Sequence, residues 1–129
     1  MDHQQLFALA EQARDRAYAP YSRYTVGAAL LCGSGKVYMG CNIENASFGA
    51  TNCAERTALF SAVAAGERQF VAIAVASGKQ GKAHTACTPC GICRQVLCEL
   101  CPPELTVILS DGEHRLDELL PLAFTEGSL

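Results

Sequence analysis

A chain of 129 residues, half of them hydrophobic and 18% charged, has enough apolar material to bury a core and too little charge for a disordered segment. The formal net charge is −3 and the ten basic residues are scattered, so no basic face for a polymeric nucleic acid is expected. No run approaches the roughly 20 apolar residues of a membrane helix, and the opening MDHQQLFALAEQARDRA lacks the plan of an export signal. A reducing cytoplasm is the expected location, with the eight cysteines serving metal binding or packing rather than a disulfide framework.

Leu6, Leu9, Ala10, Ala13 and Ala17 recur at spacings of three and four, which predicts an amphipathic helix over residues 2–18, stopped by Pro20. Tyr24, Val26, Ala28 and Leu30 alternate, as do Val37 and Met39, on either side of Gly33-Ser34-Gly35; this is a hairpin pattern. Residues 43–52, IENASFGATN, are small and polar and read as a loop. A second helix is expected from Cys53 to Ala65, ended by Gly66, and Phe70 to Ala76 reads as a strand covered on both faces. After a loop through Pro89, CGICRQVLCEL forms a third helix, stopped by Pro102-Pro103. Leu105 to Leu109 is another buried strand, Asp111-Gly112 turns the chain, and Leu116 to Leu120 forms a short last helix. The strand–helix–strand unit over 70–109 requires parallel neighbours and a right-handed crossover. One mixed sheet with helices on both faces, in a single domain over residues 1–129, is the expected architecture.

Two of these helices begin with cysteine: Cys53 opens one, and Cys90 with Cys93 opens the next. A helix start presents free N–H groups and the positive end of the dipole, which favours the thiolate that binds zinc. Three thiolates leave a fourth position for water, as an open catalytic zinc site requires. Cys87, which shares a C-x-x-C pair with Cys90, would instead close the site as a four-thiolate structural centre, and that alternative stays open here. Cys98 and Cys101 lie at the negative end of their helix, so Cys98 is expected in the core and Cys101 at its boundary, while Cys32 and Cys41 read as packing residues. Glu55 stands two residues beyond Cys53, where a carboxylate can sit beside the metal without binding it.

C-A-E at 53–55 followed by P-C-G-I-C at 89–93 resembles the signature of the zinc nucleoside and nucleobase deaminases, with cysteine in the position of the first ligand. PYSRYTVGAAL at 20–30, GCNIENASFG at 40–49, CAERTAL at 53–59, PCGICRQV at 89–96 and LLPLAF at 119–124 extend the resemblance to the small homotetrameric cytidine deaminases. The resemblance implies a three-layer α/β/α sandwich with one mixed sheet of about five strands. It implies one Zn2+ per chain on Cys53, Cys90 and Cys93, and hydrolysis of cytidine and 2′-deoxycytidine to their uridine counterparts with release of ammonia. That activity belongs to pyrimidine salvage.

By the same resemblance, Asn42 and Glu44 hold the ribose hydroxyls, and Tyr24 stands where a phenylalanine usually lines the pyrimidine pocket. Ala54 offers its N–H, Thr88 its carbonyl, and Phe124 reaches into a neighbouring subunit's site. Zinc brings the pKa of its water to about 7, and Glu55 is the expected proton shuttle. Three thiolates leave Zn2+ with one net negative charge, so Arg56 is expected to withdraw charge by hydrogen bonding the sulfurs. Two other readings remain: a deaminase of another cytosine derivative, of a nucleotide or of a base within nucleic acid, and a zinc-binding or interaction module without catalysis.

Overall fold

A computed structural model describes residues 1–129. In chain order it runs α1 (His3–Arg14), β1 (Tyr24–Cys32), β2 (Val37–Cys41), a 3-10 turn (Phe48–Ala50), α2 (Ala54–Ala64), β3 (Phe70–Lys79), α3 (Gly91–Leu100), β4 (Thr106–Leu109), β5 (Gly112–Arg115) and the short α4 (Leu116–Leu119). The five strands form one sheet in the order β2-β1-β3-β4-β5, and β3 with β4 is its only parallel pair. The connection between those two passes through α3, as a parallel pair demands.

The central strand β3 is buried without a break from Ala72 to Ser77, because both of its faces are covered. On one face Ala72, Ala74 and Ala76 meet Leu6 and Ala10 of α1. On the other, Ile73 and Val75 join Ala58, Leu59 and Ala62 of α2 and Leu97 of α3. The expected three layers are therefore present.

Two glycines set how closely the helices lie on the sheet. A Cβ at Gly27 would stand 2.0 Å from the Ala10 carbonyl oxygen of α1. A Cβ at Gly40 would stand 2.4 Å from the Ala58 nitrogen and 2.6 Å from the Ala54 oxygen, so the start of α2 rests directly on β2. This second contact fixes the height at which Cys53 and Glu55 leave the sheet.

The first helix is shorter than its apolar spacing predicts. It stops at Arg14, because the backbone of Tyr18 leaves the helix for a ladder: Tyr18 N donates to Asn42 O at 3.0 Å, and Glu44 N donates to Tyr18 O at 2.8 Å. Residues 112–115, expected only as the far side of a turn, pair with β4 as an edge strand. Gly-Glu-His-Arg carries no apolar alternation; backbone bonds alone recruit it. The burial expected for Cys98 and Cys101 is reversed. Cys101 follows α3 as its cap and turns into the core, 7% exposed, while Cys98 is half-buried. Cys32 is buried as expected, and half-buried Cys41 points its thiol at the Arg16 carbonyl, 3.4 Å away.

Candidate active site

Cys53 and Cys90 are the residues that cap the starts of α2 and α3, both in extended backbone, and Cys93 lies in the first turn of α3. The Cys90 sulfur takes the part a serine or aspartate oxygen usually plays at this position, accepting the N–H of Cys93 at 3.5 Å. The three sulfurs lie within 4.8 Å of one another. Cys53 and Cys90 are 3.8 Å apart, and two sulfurs each about 2.3 Å from a tetrahedral zinc are separated by about 3.8 Å. The donors thus fit zinc in both chemistry and spacing. Cys93 is buried, Cys53 half-buried and Cys90 exposed, so the trio opens toward solvent on one side.

Cys87 is not a member of this group. Its thiol, on an exposed residue, points to the Thr88 carbonyl at 3.5 Å. The four-sulfur closed arrangement therefore has no support in the geometry.

The electrostatics suit an anionic cluster. The Cys53 thiol is held down to about 5, first by the hydrogen bond from Cys93 and then by Arg56. Cys93 is pushed upward by donating that bond and by burial. Thiols that bind a divalent cation do so as thiolates and release their protons. Arg56 Nη2 donates to the Cys53 sulfur at 3.2 Å, while its Nε is buried without a partner. That contact is the one expected of a group that draws charge from a thiolate.

Glu55 occupies the first turn of α2 and is 4% exposed. Burial pushes its carboxyl above the ordinary range, and the neighbouring Cys53 charge adds to the rise. Ala54 is the first residue of the same helix, where backbone N–H groups have no intrahelical acceptor.

The remaining predicted residues form a looser rim. Asn42 is buried and brackets β1: its Nδ2 donates to Tyr24 O at 2.9 Å and its Oδ1 accepts from Val26 N at 2.8 Å. Glu44 Oε1 accepts from the N–H groups of Tyr21 and Ser22 at 2.9 and 3.1 Å, and Oε2 accepts from the Ser22 hydroxyl. These bonds hold the Glu44 carboxyl below the usual range, the Ser22 hydroxyl foremost. Glu44 also lines a cleft of about 310 Å³ with Tyr21, Asn45 and Phe48. The Tyr24 hydroxyl donates to Ser77 at 3.2 Å. Thr88 is exposed in the loop before α3. The Phe124 ring is 59% exposed, and only its carbonyl is held, by Gln95 Nε2 at 2.9 Å. Sequence reasoning missed Ser22 and Ser77; nothing in the spacing of a lone serine distinguishes such a partner.

The family profile described as the cytidine and deoxycytidylate deaminase zinc-binding region matches residues 1–109. A cytidine deaminase of Halalkalibacterium halodurans is 53% identical over 130 residues, spanning 97% of this chain and 96% of its own. One from Sporosarcina psychrophila is 46% identical, over 100% of this chain and 96% of its own. Among solved structures, the cytidine deaminase of Burkholderia pseudomallei superposes with a TM-score of 0.87 at 51% identity, covering 96% of this chain and all of that one. A sheet flanked by helices that bring three sulfurs to zinc spacing, together with likeness of this extent, means that the chain belongs to the cytidine deaminase family of zinc-dependent hydrolases.

Proposed function

We propose that this protein hydrolyses free cytidine and 2′-deoxycytidine to uridine and 2′-deoxyuridine, releasing ammonia. The observation that carries the reading is the meeting of Cys53, Cys90 and Cys93 sulfurs beside the buried Glu55. When bound, zinc supplies a water acidified to a pKa of about 7. The residues of the chain do the rest. Glu55 takes a proton from the attacking water and passes it to N3 of the ring. It then takes the second proton, from the hydroxyl now on C4, and gives it to the departing amine, so that the C4 carbonyl forms as the C4–N bond breaks. Its raised pKa brings it closer to the working pH, which a group serving as both base and acid needs. Arg56, on the Cys53 sulfur, offsets the charge of three thiolates.

The Ala54 N–H and the Thr88 carbonyl would hold the pyrimidine edge, with Tyr24 lining the pocket. Asn42 and Glu44 would hold the sugar hydroxyls; a carboxylate at that end favours hydroxyls over phosphates, which supports a nucleoside rather than a nucleotide. The exposed Phe124 is consistent with a ring that completes the site of a neighbouring subunit in a homotetramer. The 129 residues would act as one catalytic domain, in the cytoplasm and in pyrimidine salvage. No helix is long and apolar enough to cross a membrane.

The test is the absorbance change as cytidine becomes uridine, followed before and after chelation. Turnover that a chelator abolishes and added zinc restores is expected; a zinc-loaded protein without turnover would leave only a binding module.

A further inference from the structure

We infer that Tyr24 is a positioning residue, whose hydroxyl fastens the loop between β3 and α3 and so sets where the Thr88 carbonyl stands. The inference rests on the proposed reading in one respect, that Thr88 faces the substrate's amine.

The loop is held by few contacts. Residues 80–88 are all exposed. Before Thr85 they are tied by Gln80 N donating to Arg23 O at 2.8 Å and by His84, whose ring meets Phe7 of α1 edge-on at 5.2 Å and lies 3.6 Å from the Glu11 carboxylate. The other fastenings are polar. Arg14, itself buried, reaches from α1 to the Lys82 carbonyl at 3.1 Å. Thr85 N donates to Ser77 O at 2.7 Å, folding the loop back along the end of β3. The Tyr24 hydroxyl then meets both partners of that contact. It donates to the Ser77 hydroxyl at 3.2 Å, and its oxygen lies 3.3 Å from the Thr85 hydroxyl. Ser77 is 2% exposed, so this node is anchored in the sheet rather than on the surface. With its single proton given to Ser77, the phenol oxygen is left to accept from Thr85.

Beyond Thr85 the next fastening is at Pro89, whose carbonyl accepts from Arg94 Nε at 2.8 Å. Thr88 lies between these two points, and slack at the first moves it while Cys90 stays held by Arg94 and by its own place at the start of α3. Tyr24 is also tied from behind: its N–H donates to the Ser22 hydroxyl at 3.0 Å and its carbonyl accepts from Asn42 at 2.9 Å. One residue thus joins the segment around Glu44 to the loop carrying Thr88.

Tyr24→Phe keeps the ring and removes only the fastening. Losing such a bond is expected to raise KM for cytidine about fivefold and leave kcat within about twofold, since the carbonyl would hold substrate and transition state alike. Zinc content should be unchanged. Thr85→Val should do the same, and the double variant should be no worse than either single one. Hydrogen exchange of the Thr85 amide, which donates to Ser77 O, should quicken in both. An unchanged KM in Tyr24→Phe, additive effects of the two changes, or loss of zinc would overturn the inference. A parent protein that never turns over cytidine would instead sink the proposed function, while the exchange experiment would still decide whether the tether exists.

Discussion

The two halves of the site rest on different supports. Cys53, Glu55, Cys90 and Cys93 stand at the starts of α2 and α3, helices packed on the sheet, with α2 set at a fixed height by Gly40. Glu44, Thr88 and Phe124 stand between elements, on exposed segments held by individual hydrogen bonds. The first half gains its geometry from packing, which is collective and hard to deform. The second gains it from single polar contacts, each worth about 1 kcal/mol. On the proposed assignment the metal ligands and the proton carrier sit on the rigid half, and Glu44, Thr88 and Phe124 on the adjustable one, so damage to each should look different.

The largest effect is expected from Glu55→Gln, which leaves the packed half in place and removes only the carboxyl proposed to carry the protons. Zinc and substrate should still bind, while turnover falls by about 10²–10⁴-fold; near-normal turnover would remove the shuttle from the mechanism. Gly40→Ala attacks the packing itself. The added methyl meets backbone atoms of α2 that cannot swing aside, so a loss of about 1–3 kcal/mol in thermal or denaturant unfolding is expected, together with weaker zinc binding. Arg56→Ala tests charge rather than shape: turnover about tenfold lower in a folded protein is expected, and unchanged kinetics would mean that the contact with Cys53 has no bearing on catalysis. Cys87→Ala should have the smallest effect. Zinc affinity measured by competition with a chelator should not change, because this thiol lies outside the trio.

The same division decides what could be read from the sequence. Candidate ligands at helix starts leave a pattern, because the helix fixes which residues share a turn: Cys90 and Cys93 fall within one turn, and a proline ahead of them marked the start. The layered fold was equally legible, since the run from Phe70 to Ala76 announced a strand covered on both sides. Contacts made by the backbone left no trace. The end of α1 is decided by Tyr18 pairing with residues 42–44, and β5 by pairing with β4, and neither leaves an apolar period to read. The burial of Cys98 and Cys101 was misjudged for a related reason. The dipole argument concerns thiolate charge, whereas Cys101 is a neutral thiol, raised to about 12 by burial in the core.

Zinc-edge X-ray absorption on the loaded protein tests the central claim most directly. Three sulfur neighbours at about 2.3 Å with one lighter atom nearer the metal are expected. A shell of four sulfurs, or one holding fewer than three, would contradict the account.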